Sequence, residues 1–269
     1  MPIECSVPLR LVAQDEFYVL DKEVMKHAFA IHNEMGRLFD ENIYQAELAR
    51  RCCQVGLSVQ REVMVSVIHE TFRKDFHLDL LFSSGSVCEL KCVSGLVSQH
   101  DGQLINYLLL TGTQHGKLIN FRPFSVESRF VSTGLTHEKR HVFQMDYSSW
   151  DPVCERSEFV ESLVSALLKD WGSFLSIDLY RDAVVHFLGG EDHVVRDVNV
   201  LCGQQVVGSK MACLLDNRTA LHLSALSQRL VEYETHLRRQ LAHMEIDVMQ
   251  WINFDQNRIR LKTIRVGTE

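Results

Sequence analysis

No stretch of this 269-residue chain approaches the roughly 20 apolar residues that a membrane-spanning helix needs. The opening run, MPIECSVPLRLVAQDEF, is broken by Glu4, Pro8 and Arg10, so the apolar centre of a secretory leader is missing too. Eight cysteines occur with no Cys-x-x-Cys pair, and neither Cys52-Cys53 nor Cys88/Cys92 reads as a zinc site. Reduced thiols in a cytoplasmic protein without membrane contact are the expectation. There is no basic surplus either. Lys and Arg total 28 against 35 Asp and Glu, a formal net charge of -7, so any nucleic-acid contact has to use a local basic face. No phosphate-cradling P-loop pattern surrounds Gly189-Gly190 or Gly203.

What is present is apolar surface, 46% of residues, enough for one large core or two small ones. Val24, Ala28, Ile31 and Met35 recur at helical spacing after Asp21, which predicts a helix over 22–35 with Asp21 as its N-cap. A second helix is expected over 41–54. Alternation in Val63–Ile68, then Phe76–Phe82 and Val87–Val93, predicts three neighbouring strands, the last two joined by a turn at Ser83–Ser86. A helix over Gln103–Leu110 and strands at Lys117–Phe121 and Ser128–Ser132 follow. The polar, proline-containing stretch 146–157 reads as a boundary, giving domains 1–147 and 148–269. Beyond it come two helices, strands at Val198–Val207 and Met211–Leu215, a helix over Leu226–His243, and a closing strand pair, Met249–Phe254 and Ile259–Ile264.

The halves resemble one another. Gly36-Arg-Leu-Phe-Asp-Glu-Asn-Ile-Tyr44 has a counterpart in Gly172-Ser-Phe-Leu-Ser-Ile-Asp-Leu-Tyr180, an offset of 136 residues. Leu80-Leu81 matches Leu214-Leu215 at 134, and Ile119-Asn-Phe121 matches Ile252-Asn-Phe254 at 133. Three ordered matches at nearly constant offset argue for two copies of one supersecondary plan, against the alternative of shared generic strand motifs. At these offsets Glu41 maps to Ile177, Asp79 to Cys213, Glu89 to Leu223 or His222, and Lys91 to Ala225 or Ser224. The second copy lacks the acids of the first, which suits a structural partner or a substrate-binding surface.

Those acids carry the chemistry. Along an extended strand, alternate side chains share a face, so Glu89 and Lys91 project opposite to Cys88, Leu90 and Cys92. Asp79, on the preceding strand, can reach the same side across a short hairpin. Charges embedded in apolar strands are costly unless paired or bound to a metal. Two converging carboxylates offer hard oxygen ligands for Mg²⁺ or Mn²⁺, beside a lysine able to orient water or stabilise phosphate charge. Glu89-Leu-Lys91 can also be a plain cross-strand ion pair. It is the only Asp/Glu-x-Lys in the chain. Gln103 and Tyr107 stand four apart on one helical face, compatible with a shared site or with ordinary packing of the tyrosine.

The run from Arg73 to Phe121, with Asp79, Cys-Glu-Leu-Lys, Gln103-Leu-Ile-Asn-Tyr107 and Leu-Ile-Asn-Phe, resembles the GxxExxY family of the PD-(D/E)XK nuclease superfamily. His32–Tyr44 resembles the naming motif, with Glu41 and Tyr44 retained and Leu38 where the motif has glycine. The resemblance spans roughly residues 20–132. It implies an α/β fold with a restriction-endonuclease-like core, a mixed central sheet flanked by helices, followed here by the degenerate second copy. It further implies a metal held by Asp79 and Glu89, catalytic help from Lys91 and Glu41, and substrate contacts from Gln103, Tyr107 and Tyr44.

The functional expectation is Mg²⁺- or Mn²⁺-dependent hydrolysis of phosphodiester bonds, in DNA before RNA. The rival is a non-catalytic nucleic-acid or protein-binding module on the same fold. The chain is expected as a monomer with an internal pseudo-dimer, or as a homodimer. His77, two residues from Asp79, is a further ligand candidate set against a structural role, as is His100 near the mouth. Arg50-Arg51, Arg73-Lys74 and Lys139-Arg-His141 can touch phosphates, although scattered basic pairs are ordinarily solvated surface.

Overall fold

The computed structural model describes residues 2–267. Contacts divide the chain after Lys139 rather than at residue 147. The stretch expected as a boundary contains a strand of the second unit, polar and mostly exposed, and so without the apolar alternation that marks a buried strand.

The first unit runs β1 (Ile3–Cys5), α1 (Gln14–Met35), α2 (Glu41–Gln54), β2 (Val59–His69), β3 (Phe72–Phe82), β4 (Ser86–Lys91), α3 (Ser98–Thr111), β5 (His115–Asn120) and β6 (Glu127–Ser132), with the single turn α4 (His137–Arg140) across the boundary. The strands form one sheet in the order β1-β2-β3-β4-β5-β6. Neighbours are antiparallel except β4 and β5, which run parallel because α3 carries the chain across between them.

Helix α1 begins eight residues before the expected start because Phe17 and Leu20 extend the buried stripe of Val24, Ala28 and Ile31 towards the N-terminus. Asp21 is therefore inside the helix and accepts a 2.9 Å hydrogen bond from Lys117 Nζ. Helix α2 has the expected bounds. Together α1 and α2 bury Ile31, Tyr44 and Leu48 against Leu80, Phe82, Leu90, Ile119 and Phe121 of the sheet, each fully buried side chain contributing about 1.5–3 kcal/mol. Helix α3 packs on the other side. A Cβ added at Gly116 would lie 3.0 Å from Leu104 Cδ1 and 3.1 Å from the Val87 carbonyl, so the glycine lets α3 sit close to β4 and β5.

The second unit runs β7 (Gln144–Ser149), α5 (Glu155–Trp171), α6 (Ile177–Phe187), α7 (Glu191–Val194), β8 (Val195–Cys202), β9 (Gln205–Leu214), β10 (Thr219–Ser224), α8 (Leu230–Ala242), β11 (Val248–Asp255) and β12 (Arg258–Arg265). Its sheet order is β7-β12-β11-β10-β9-β8. Here β10 and β11 run parallel around α8, and β7 runs parallel to β12. The strand expected at 198–207 is broken by a turn at Gly203, whose φ of 62° suits glycine. Strand β10 is not anticipated by the sequence reading. After its first strand, each unit follows the order helix pair, three-stranded meander, crossover helix, parallel strand, hairpin. The first strands differ: β1 flanks the meander, whereas β7 flanks the closing hairpin.

Two local devices occur in both units. Gly36 ends α1 at φ 74° and Gly172 ends α5 at φ 77°, and each N–H returns 2.9 Å to the helix, at His32 O and Leu168 O. The Tyr44 hydroxyl donates to Gly36 O at 2.8 Å, as Tyr180 does to Gly172 O. The rings then lie 4.5 Å from Phe121 and 4.7 Å from Phe254. In addition, Asn120 bonds both backbone groups of Val93, and Asn253 both of Leu226. Among the described residues no helix is long and apolar enough to cross a membrane.

Tyr44→Phe removes the hydroxyl that links Phe39 N to the Gly36 carbonyl, and Tyr180→Phe strands the buried Gly172 carbonyl, so the two are expected to lower unfolding stability by about 1 and about 1–2 kcal/mol. Urea unfolding checks both, with midpoints falling and slopes unchanged.

Candidate functional site

Strand β4 is buried along its length up to Lys91, yet its centre carries Glu89 at 2% exposure. Glu89 Oε1 accepts from Lys91 Nζ at 2.7 Å and from Gln103 Nε2 at 2.9 Å. Its second oxygen, Oε2, is buried without a hydrogen-bond partner. Gln103 is fixed by a second bond, 3.0 Å to the Tyr107 hydroxyl, and Tyr107 packs edge-on against Phe76. Residues four apart on α3 thus form a brace behind the carboxylate.

Asp79 arrives by a departure from regular pairing. Strands β3 and β4 pair at Phe82↔Ser86, Leu81↔Val87 and Leu80↔Cys88, and no further. Beyond that point the Leu90 N–H takes Asp79 Oδ2, at 2.7 Å, as its acceptor. The carboxylate closes the splayed end of the strand pair. On its other side the facing residues Glu62 and Asp79 are missing from the β2–β3 pairing, with Glu62 at a φ of 50° and Arg61↔Leu80 and Val63↔Leu78 keeping one register.

Glu41, the first residue of α2, lies 3.9 Å from Lys91 Nζ through Oε1. Glu41, Glu62 and Asp79, with Gln45, line an open cleft of about 310 Å³. Gln45 Nε2 bridges Glu62 Oε1 at 2.5 Å and the Asp79 carbonyl at 3.0 Å, while its Oε1 accepts from Arg61. Sequence reasoning missed both Gln45 and Glu62. No local signal separates Glu62 from an ordinary solvated carboxylate, because it is the strand register opposite Asp79 that brings it to the cleft.

The electrostatics follow from burial. Desolvation raises the Glu89 carboxyl to about 8, with Asp79 adding to the rise and Lys91 opposing it. Desolvation raises Asp79 to about 6, opposed by the Leu90 N–H and by Lys91. For Lys91, burial lowers the pKa but Glu89, Glu41 and Asp79 together more than offset it, leaving it raised. A buried and a half-buried carboxylate beside one lysine bind protons more tightly than ordinary carboxylates, an effect that a further cation would oppose.

Other candidates stand elsewhere. Tyr44, expected at the substrate, is fully buried, and its hydroxyl also accepts from Phe39 N at 3.2 Å. It organises the α1–α2 turn instead, because its place on the inner face of α2 points it at Phe121. The left-handed glycine of that turn is Gly36, not position 38, so Leu38 is accommodated. His77 is exposed. His100 Nδ1 accepts from Val97 N at 3.1 Å and caps α3. Arg50 and Arg51 pair with Glu47, Arg51 also with Glu34, and Arg73 with Asp75. Arg140 is buried, bonding carbonyls of Trp171 and Ser173. A cavity of about 360 Å³ lies in the second unit, bordered by Arg181, Lys210 and His222 as well as Asp182 and Glu191.

Asp79 and Glu89 fit a divalent cation by donor chemistry and by the orphaned Glu89 oxygen. Among the described residues no group of three or more His, Cys, Asp or Glu is arranged to hold a metal, so water or substrate oxygens would complete the shell.

Both carboxyls are held above their unfolded values, so the metal-free folded protein binds more protons than the unfolded chain. Their stabilising contribution is complete below about pH 4 and is lost as pH rises through about 8. Thermal unfolding without metal is therefore expected to weaken from pH 5 to 8.5 in a way that Glu89→Gln flattens. Mn²⁺ should stabilise the wild type more at pH 8 than at pH 6. Identical pH slopes for both proteins would refute the assignment.

No curated protein and no solved structure matches the chain. Residues 19–131, a span holding Glu41, Asp79, Glu89, Lys91, Gln103 and Tyr107, match the sequence model of the PD-(D/E)XK nuclease superfamily.

Proposed function

We propose that the first unit hydrolyses phosphodiester bonds in DNA with a divalent metal, Mg²⁺ or Mn²⁺, held by Asp79 and Glu89. The observation that carries this reading is Glu89 itself. It is a carboxylate at 2% exposure with one oxygen braced twice and the other left without a partner, an arrangement that is unfavourable without a cation. The superfamily match adds nuclease-like function and general divalent-metal dependence. Retained Glu41 and Tyr44 support a GxxExxY-type member.

A bound metal supplies Lewis-acid charge neutralisation at the phosphate and a lowered pKa for attacking water. The chain supplies orientation and charge. Lys91, fixed by Glu89 and facing Glu41, donates hydrogen bonds to the attacking water or to a non-bridging phosphate oxygen, where negative charge grows in the transition state. As the new P–O bond forms and the bond to the leaving oxygen breaks, the water's proton must depart. Glu41, at the cleft mouth, is the carboxylate available to take it. Gln103 keeps Glu89 in register through the Tyr107 brace.

We also infer that the second unit is a degenerate copy. Its shared order of elements, the Gly–Tyr bonds and the Asn120 and Asn253 bridges support this. Register supports a single offset for the strands: Lys91 pairs with Asn120 as Ser224 pairs with Asn253. On that register His222 corresponds to Glu89, Ser224 to Lys91 and Ala212, rather than Cys213, to Asp79. The equivalent site has no metal-binding acids, which favours a structural or binding role.

With Mg²⁺ or Mn²⁺, purified protein is expected to cleave labelled DNA, with EDTA abolishing cleavage and Glu89→Gln or Lys91→Ala slowing it roughly 10²–10⁴-fold. No cleavage of DNA or RNA, with Mn²⁺ bound no better by wild type than by Glu89→Gln, would leave the non-catalytic binding module as the reading.

A further inference from the structure

Beside the acidic cleft, the first unit exposes apolar surface that its folding does not use. Leu38 is 78% exposed, Phe39 44% and Phe124 89%. Leu38 and Phe39 lie in the α1–α2 turn just before Glu41, and Phe124 lies in the β5–β6 turn. The two turns are bound together. Arg37 Nη1 donates to Arg122 O at 3.2 Å, and Arg122 donates to Cys92 O at 3.3 Å and to Phe39 O at 3.4 Å. His32 bonds Pro123 O at 3.0 Å. Cys92 directly follows Lys91, so this brace adjoins the site.

The charges here are as unusual as the apolar faces. Arg50, Arg51 and Arg73 spend their guanidinium groups on carboxylates, as described above. The hydrogen bonds of Arg37 and Arg122 go to backbone carbonyls, and neither has a carboxylate partner among the described residues. Arg37 lies 4.0 Å over the Phe124 ring, holding it edge-free in solvent by a cation–π contact. Uncompensated arginines beside exposed ring faces, in a chain of net charge -7, make the local basic face that a nucleic-acid partner requires. Alternating cation and aromatic surface is what a single strand uses: phosphates meet the arginines and unpaired bases stack on the rings. A duplex keeps its base faces covered and gains nothing from the rings.

We propose that Phe39 and Phe124, with Arg37 and Arg122, form a stacking platform for unpaired bases, so that the cleft receives a single-stranded segment or a frayed strand end. The proposal takes the destination of the strand from the nuclease reading, but binding itself is measurable without cleavage.

Fluorescence anisotropy in Ca²⁺, with labelled oligothymidylate of about twelve nucleotides and a blunt duplex of equal length, tests it. Wild type is expected to bind the single strand more tightly than the duplex. Phe124→Ala and Phe39→Ala should each weaken single-strand binding roughly 5- to 50-fold and leave duplex binding unchanged, while Phe124→Tyr restores it. Unaltered Mn²⁺ binding by Phe124→Ala would show the acidic site intact. Equal binding of both probes by wild type, or single-strand binding indifferent to Phe124→Ala, overturns the platform. So does light scattering that reveals a dimer lost in Phe124→Ala, which would make the patch a protein contact. If the platform mutants lose binding but wild type cleaves nothing, the platform stands and the nuclease reading falls. Cleavage indifferent to these mutants gives the reverse.

Discussion

Glu89 occupies the centre of a strand whose neighbours exclude water on both sides, and a carboxylate there is unfavourable unless something answers its charge. Much of the first unit's local structure answers it in part. Lys91 comes two residues along the same strand face, Gln103 descends from α3, and Tyr107 holds Gln103. The glycine at 116 matters for the same reason, since it lets α3 approach closely enough for that brace to form. What remains is one oxygen with no protein partner and a proton affinity pushed far above that of an ordinary carboxylate.

The sheet contributes a second constraint. Strands β3 and β4 separate after Leu80↔Cys88, and a backbone N–H freed in a buried sheet needs an acceptor. Asp79 supplies it. The residue is therefore structural and chemical at once: its Oδ2 terminates the ladder while the carboxylate borders the cleft. The pairing gap at Glu62 occurs on the neighbouring strand at the same level, so the cleft opens where regular pairing is lost on both sides of β3.

The two units share an order of main elements after their first strands, with different charge around β4 and β10. In the first, carboxylates crowd a lysine. In the second, His222 is half-buried and its pKa is lowered to about 4 by desolvation, Lys210 and Arg181; its Nε2 bonds the Tyr233 hydroxyl at 2.7 Å. The shared Gly–Tyr and asparagine bridges serve turns and strand ends. Packing needs can maintain them without the acids, because they satisfy backbone groups in either unit.

Local pattern made several parts legible. The alternation in Val87–Val93 put Glu89 and Lys91 on one face, the spacing on α3 put Gln103 and Tyr107 together, and the 3.6-residue stripe of Val24, Ala28 and Ile31 marked α1. These features rest on periodicities of 2.0 and 3.6 that the chain cannot avoid once a segment is extended or helical. The roles of Tyr44, Gln45 and Glu62, the position of the unit boundary and the pairing of β7 were not legible. Each depends on partners distant in sequence: Tyr44 turns inward because Phe121 is there to stack on it, and Glu62 reaches the cleft because the β2–β3 register sets it opposite Asp79. By itself, then, the sequence determined which side chains share a face of each element. Only tertiary structure decided which faces meet, where the ladder opens and which polar atom is left unanswered, because hydrogen-bond satisfaction in a buried sheet is settled across strands and not along them.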